Sequence, residues 1–263
     1  MSGDMLEIRG LVKTFGGVKA VSDLDMTVRK GEIHALIGPN GSGKTTTLNV
    51  ISGLYRANAG SVRFDGAEIS ELPPHAIAQR GITRTFQNIR LFPRLTVLEN
   101  VLIGRHTQLK TNFWMALAPN SVTAQEEAAA FGRAMQLLAF VGLAERAGNR
   151  AGSLAYGDQR RLEIARALAA EPAFLLLDEP AAGMNPAETD SLIKLLYEVR
   201  DRGVTLLLIE HDMNLVMSIS DRITVLNFGT HIAEGTAGEV SGNKDVITAY
   251  LGGPLDAGIA QTR

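Results

Sequence analysis

The sequence predicts an α/β protein built on a mostly parallel sheet, with an antiparallel β portion at its start and a helical insertion in its middle. Three observations predict this. From residue 173 onward, short apolar runs alternate with segments of helical period, the pattern of a parallel sheet covered by helices. Residues 5–37 instead read as consecutive strands with a turn at Lys30–Gly31. Residues 96–150 are rich in helix formers and read as helical.

In chain order, "MLEIRGLVKTF" and "DLDMTVRKGEIHALIG" carry the alternating apolar positions of strands. Residues 44–54 read as a helix, "GSVRFDG" as a strand, and Pro73–Pro74 opens a short helix that ends near Gly81. "ITRTFQ" is strand-like. "AQEEAAAFGRAMQLLAFVGL" is the strongest helix of the insertion and puts Phe131, Met135, Leu138 and Val141 at helical spacing. The preceding "RHTQLKTNFWMALAPNS" has no clear pattern. "AFLLLD", "VTLLLIE" and "RITVLN" read as buried strands and "HIAEG" as a further strand. Leu192, Leu195, Leu196 and Val199 mark a helix face between the first two. The expected organisation is one unit over 1–263, with a core and β subdomain in 1–88 and 158–252, a helical subdomain in 89–157 and a loose tail over 253–263.

Composition narrows the function classes. A chain of 263 residues can bury a sizeable core, and 45% hydrophobic with 21% charged residues is ordinary for a globule. A net charge of -2 offers no basic excess, so nucleic acid is not an expected partner. With no cysteine there is no disulfide, thiolate zinc site or thiol catalysis, and the five histidines are scattered without a metal-ligand spacing. The start, "MSGDMLEIRG", is acidic and mixed, unlike a secretory signal. No apolar run approaches the ~20 residues that span a bilayer. A cytoplasmic location is expected, with any membrane association made through a partner.

"GPNGSGKT" from Gly38 to Thr45 fits G-x-x-x-x-G-K-[ST], with apolar "HALI" before it and a helix bearing Leu48 and Ile51 after it. This predicts a P-loop NTPase (RecA-like) core. Gly38, Pro39, Asn40, Gly41, Ser42, Gly43, Lys44, Thr45 and Thr46 form the candidate cradle for ATP. Its glycines let main-chain amides close on a β-phosphate, Lys44 reaches the β and γ groups, and Thr45 can ligate Mg²⁺. "FLLLDEP" places Asp178 and Glu179 at the carboxyl end of a buried strand, where ligands sit in open α/β sheets. The pair suits a metal-organising carboxylate beside a base for water. His211 ends "LLIEHD" and Gln87 ends "TRTFQ" in comparable positions; alone, such residues are more often structural. Phe15, taken singly, reads as core. In "LAYGDQRRLEIARAL", Gly157 opens a patterned helix, a second place where free amides and the helix dipole favour an anion.

Together these segments resemble the ATP-binding cassette family, the ATPase subunits of ABC transporters, over almost the entire chain and in that family's order. "GPNGSGKTT" is similar to its Walker A, Gln87 to its Q-loop glutamine, "LAYGDQ" to its signature, "FLLLDEP" to its Walker B with catalytic glutamate and "AGMNP" to its D-loop. His211 matches the switch histidine and Phe15 the aromatic that stacks on adenine. Closer still, "FGGVKAV", "RTFQNIRLFPRLTVLENV", "RHTQLKTN", "LAYGDQRRLEIARAL", "PAAGMNP" and "DVITAYLG" resemble the LivG type of branched-chain amino acid importers. Related cassettes for urea and small amides share much of this, and an exporter ATPase or a soluble cassette ATPase is a further alternative.

The resemblance implies ATP and Mg²⁺ as cofactors, Glu179 and His211 as catalytic, Thr45, Gln87 and Asp178 around the metal, and Ala155, Tyr156, Gly157 and Asp158 closing the ATP of a second cassette. It also implies permease subunits, indirectly a solute-binding protein, and a peripheral place at the cytoplasmic face of the inner membrane. Two departures stand out. Against the common LSGGQ signature, Ala155 replaces the serine, Tyr156 the first glycine and Asp158 the glutamine, and Asn185 stands where the D-loop usually carries Asp.

Overall fold

The computed structural model describes residues 3–105 and 121–251. The tail 253–263 and most of "RHTQLKTNFWMALAPNS" therefore lie outside the described residues.

Two sheets organise the chain. Strands β1 (Asp4–Phe15), β2 (Val18–Arg29), β4 (Ala59–Phe64) and β5 (Ala67–Glu68) form an antiparallel sheet in the order β2-β1-β4-β5. The larger sheet runs β10-β9-β3-β8-β7-β6. Its members are β3 (Ile33–Ile37), β6 (Ile82–Arg84), β7 (Phe174–Asp178), β8 (Thr205–Ile209), β9 (Arg222–Asn227) and β10 (Thr230–Gly235). All neighbours in it are parallel except β9 and β10.

Strands β3, β7 and β8 are buried along their whole length, which is why they read as unbroken apolar runs and not as alternation. The period of two still governs where each residue goes. Leu175, Leu177, Leu206 and Leu208 face one core with helices α5 (Tyr156–Leu168), α6 (Pro186–Asp201) and α7 (Met213–Ile219). Leu176, Leu207 and Ile209 face the other, against α1 (Lys44–Ile51) and the antiparallel sheet's Leu6, Ile8 and Val62. A parallel sheet packed on both faces presents the carboxyl ends of its strands as one edge, and the candidate site lies there.

Helix ends follow local chemistry. Asn185 caps α6, accepting from Glu188 N–H while the Glu188 carboxylate accepts from Asn185 N–H, with Pro186 in the first turn. Leu192, Leu195, Leu196 and Val199 are the face it buries, as expected. Pro74 opens α2 (Pro74–Gln79), and Thr96 and Glu99 form the same reciprocal cap on α3 (Val97–Gly104).

The helical reading of 96–150 needs correction. Helix α4 (Ser121–Phe140) ends at a turn where Gly142 has φ 74°, and short 3₁₀ turns follow at Ala144–Arg146 and Ala151–Ser153. Of the expected face, Leu138 and Val141 are buried and Met135 packs against the core, but Phe131 is 52% exposed and the small side chains of Ala130 and Ala134 are buried in that part of α4 instead. "ITRTFQ" is strand only over Ile82–Arg84, although Thr85 N–H still bonds to Leu176 O at 2.9 Å. Two eight-residue helices complete the account, α1 shorter than expected and α9 (Lys244–Leu251), which follows α8 (Ala237–Ser241).

Candidate active site

The loop between β3 and α1 is shaped by close main-chain approach. A Cβ on Gly38 would lie 2.0 Å from Leu226 O, and one on Gly43 2.4 Å from Ala20 O, so neither position admits a side chain. Gly43 caps α1 in the left-handed region with no side-chain bond to the helix, and the first turn closes with Thr47 N–H to Gly43 O at 2.9 Å. The amides of Lys44, Thr45 and Thr46 therefore face outward at a positive dipole end, which suits phosphate. Lys44 Nζ donates to Gly38 O at 2.7 Å and Pro39 O at 2.9 Å. Burial pulls its pKa below the usual lysine range, while the carboxylates of Glu179 and Asp178 oppose that shift. Asn40, Gly41 and Thr45 are exposed at the mouth, Pro39 and Thr46 half-buried, and Ser42 buried.

Glu179, Gln87 and His211 come together beside this loop. Gln87 Nε2 donates to Glu179 Oε2 at 2.9 Å, and His211 Nδ1 lies 3.7 Å from the same oxygen. Glu179 follows directly on β7 with φ 46°, a backbone region that non-glycine residues rarely occupy. Asp178 is buried at the strand end and accepts from Arg84 Nη2 at 2.7 Å. Arg84 Nη1 also donates to Asn49 Oδ1 of α1 at 2.6 Å, so one guanidinium ties the Walker B strand to the P-loop helix. Among the described residues no cluster of three or more His, Asp and Glu forms a metal site by itself. A metal here would need Thr45, Asp178 and phosphate oxygens together.

Phe15 is no core residue. It is 42% exposed, its ring 5.2 Å from that of Tyr55 in an edge contact, with Lys13 Nζ 4.9 Å from its centroid. A part-exposed aromatic ring braced by a second ring is suited to stacking on a base.

The residues that open the signature helix, Ala155 to Asp158, make their side-chain contacts within their own corner of the chain. Ala155 is the N-cap of α5 without a side-chain cap, as the missing serine hydroxyl requires. Gly157 is buried against α6, where an added Cβ would meet Glu188 Oε1 at 2.8 Å. Tyr156 is 42% exposed and packs near Gly183. Asp158 is not free: it pairs with Arg146 and, at 3.8 Å, with Arg161. Its charge is thus met within its own chain, leaving main-chain amides as the groups α5 offers to an anion.

Four contributors escaped sequence reasoning: Arg84, Tyr55, Glu210, and the pair Arg160 and Glu163. Arg160 is fully buried on α5, donating to Phe86 O at 2.8 Å, Gln87 O at 3.0 Å and Glu163 Oε2 at 2.8 Å. The signal available for Glu210 was a charged residue directly after an apolar strand; Arg84 lay between threonines and Arg160 in a run of polar residues, and neither stood out.

A P-loop opening a helix after β3, a carboxylate pair at the end of β7, one strand removed in the parallel sheet, and a glutamine and histidine converging on the second carboxylate define an ATP-binding cassette. The family model for ABC transporters matches residues 21–182, and the chain belongs to that family of ATPases. A second model, for branched-chain amino acid ATP-binding cassette transporters, matches residues 230–256. The chain is 49% identical over 253 residues to the high-affinity branched-chain amino acid transport ATP-binding protein BraF of Pseudomonas aeruginosa, covering 96% of this chain and 99% of that one. With LivG of Escherichia coli K12 it shares 47% over the same coverage. The crystal structure of an ATP-binding cassette of an ABC transporter in its ADP conformation superposes with TM-score 0.83 at 32% identity, over 95% of this chain and all of that one.

Proposed function

We propose that this chain is the ATP-hydrolysing subunit of an ABC importer that couples MgATP binding and hydrolysis to uptake of branched-chain amino acids. The observation that carries this reading is near-full-length identity to BraF and LivG, joined by the match of residues 230–256 to the branched-chain group.

In this mechanism Phe15 stacks on adenine, the amides from Asn40 to Thr46 enclose the phosphates, and Lys44 turns from the loop carbonyls to the β and γ groups. Mg²⁺, held by Thr45 and Asp178 with Gln87 close by, would supply charge neutralisation at the transferred phosphoryl. Glu179 takes the proton of the attacking water, and His211 steadies the γ-phosphate. The amides of Tyr156 and Gly157 close the nucleotide of a second cassette, homologous or identical, in a head-to-tail dimer.

The energy leaves through permease subunits, which hold the chain at the inner face of the membrane; no helix among the described residues is long and apolar enough to cross it. A cavity of about 320 Å³ beside the Q-loop, lined by Leu54, Pro74, Ile77, Phe86, Ile103 and Arg166, is where a permease segment would seat. Residues 88–98 do not line it. The solute-binding protein acts only through the permease.

Glu179→Gln should still bind MgATP and lose roughly 10²- to 10⁴-fold in turnover, the usual worth of a general base. In cells lacking the native subunit, labelled leucine, isoleucine and valine uptake should return with the parent chain and stay absent with this variant. Near-normal turnover of the variant, or uptake restored by it, would remove Glu179 from its role.

A further inference from the structure

Glu210 is a buried carboxylate at the site that the mechanism above does not use. It follows β8 directly and is 1% exposed. One oxygen accepts from Ala181 N–H at 2.8 Å, two residues beyond Glu179; the other accepts from His211 N–H at 3.1 Å and lies 3.9 Å from His211 Nδ1. Burial pushes its pKa up, while the main-chain donors Ala181 and His211 work in the opposite direction.

The turn it touches is strained. Glu179 has φ 46°, and such a conformation persists only where its surroundings over-determine it. Two bonds from the neighbouring strand do so here: Glu179 N–H to Ile209 O at 2.9 Å, and Ala181 N–H to the Glu210 carboxylate. The first is an ordinary continuation of the β7–β8 ladder. The second comes from a side chain that simultaneously fixes the main chain of His211.

We infer that Glu210 is a positioning residue that locks the Glu179 turn and the His211 loop into one rigid frame. It acts through the main chain of Ala181 and His211. Its two oxygens set the distance between the strand ends from which Glu179 and His211 project, so that both meet the same γ-phosphate. This rests on the assignment of Glu179 as base.

Glu210→Ala removes both acceptors. Misplacement of a reacting group by about 1 Å costs on the order of 10²-fold, so turnover per folded molecule should fall by that order while affinity for MgATP is retained. Groups that act as a unit are not additive in kinetics. Glu210→Ala placed on Glu179→Gln should therefore cost no further turnover. Glu210→Gln keeps one oxygen for Ala181 and should recover much of the loss.

Unimpaired turnover in Glu210→Ala, a full multiplicative loss in the double variant, or a Glu210→Gln as slow as Glu210→Ala would each overturn the inference. Should Glu210→Ala fail to fold, Glu210→Met, which keeps the side-chain volume and removes both acceptors, takes its place in the cycle on the same criterion. An active Glu179→Gln would overturn the base assignment and this inference with it. An inactive Glu179→Gln beside an unimpaired Glu210→Ala would overturn this inference alone.

Discussion

Arg160 and Glu163 offer a direct test of how the signature helix is joined to the Q-loop. Their side chains are 0% and 1% exposed and their charges meet at 2.8 Å, three residues apart on α5. Removing one partner leaves the other charge buried and unpaired, a loss of about 3–5 kcal/mol. Arg160→Met and Glu163→Leu should each show it. At roughly 2–4 °C per kcal/mol for a chain of this size, either variant should melt about 6–20 °C lower than the parent. The double variant removes both charges, so its loss should fall short of the sum by about 0.5–3 kcal/mol.

It should not reach parent stability. Arg160 also supplies the Phe86 and Gln87 carbonyls, and Glu163 Oε1 accepts from Arg90 N–H at 3.2 Å. Those part-buried main-chain groups lose their partners in the double variant, at a cost below the ~1–3 kcal/mol of a fully buried polar group without one. Urea unfolding of the parent, the two single variants and the double variant gives the coupling directly. Strict additivity would mean that the two charges do not stabilise each other.

Three further outcomes follow from the geometry. Phe15→Ala should weaken ATP binding by about 1–3 kcal/mol, by analogy with base–aromatic stacking, and leave binding of bare triphosphate unchanged in calorimetry; equal loss for both ligands would make Phe15 a packing residue. Asn185→Ala should cost about 0.5–2 kcal/mol through the α6 cap and Asn185→Asp almost none, read from denaturant midpoints; equal losses would refute capping as its role. Bonds from the Thr96 main chain and hydroxyl hold Glu99 below its ordinary value of 4.5. A lowered folded-state pKa means that the stabilisation is complete above that ordinary value and is lost as pH falls through the folded one. Glu99→Gln should flatten the acid limb of the urea midpoint measured against pH, and an unchanged limb would show that this cap does not titrate.

What the sequence made legible was whatever has a short period or a tight spacing. The buried strands β3, β7 and β8 are apolar runs of strand length, and the α6 face repeats at helical spacing, so both could be read directly. The P-loop was legible because its glycines answer to fixed collisions, such as Gly38 against Leu226 O. The burial of Ala130 and Ala134 in place of Phe131 at the start of the α4 face was not, because an alanine offers less apolar area than a phenylalanine and gives a weaker periodic signal. Arg84, Arg160 and Glu210 escaped because a charged residue is read as solvated until its partners are known, and those partners lie 94, 73 and 29 residues away for Asp178, Gln87 and Ala181.

Those same residues explain how an altered signature and D-loop fit a working cassette. Asp158 would set a carboxylate near an incoming phosphate, yet Arg146 and Arg161 already engage it, so the repulsion that its charge implies is met before any nucleotide arrives. Asn185 carries no charge to pass between subunits, but it caps α6 as well as aspartate does, and the Glu188 that completes this cap is the group packed on Gly157. Signature and D-loop of one chain are therefore a single packed corner. Arg160 joins that corner to the carbonyls of Phe86 and Gln87, and Gln87 in turn bonds Glu179. A movement of α5 must then displace the Q-loop main chain, and with it the partner of the proposed base. The lost serine hydroxyl removes one donor to phosphate and leaves this mechanical connection whole.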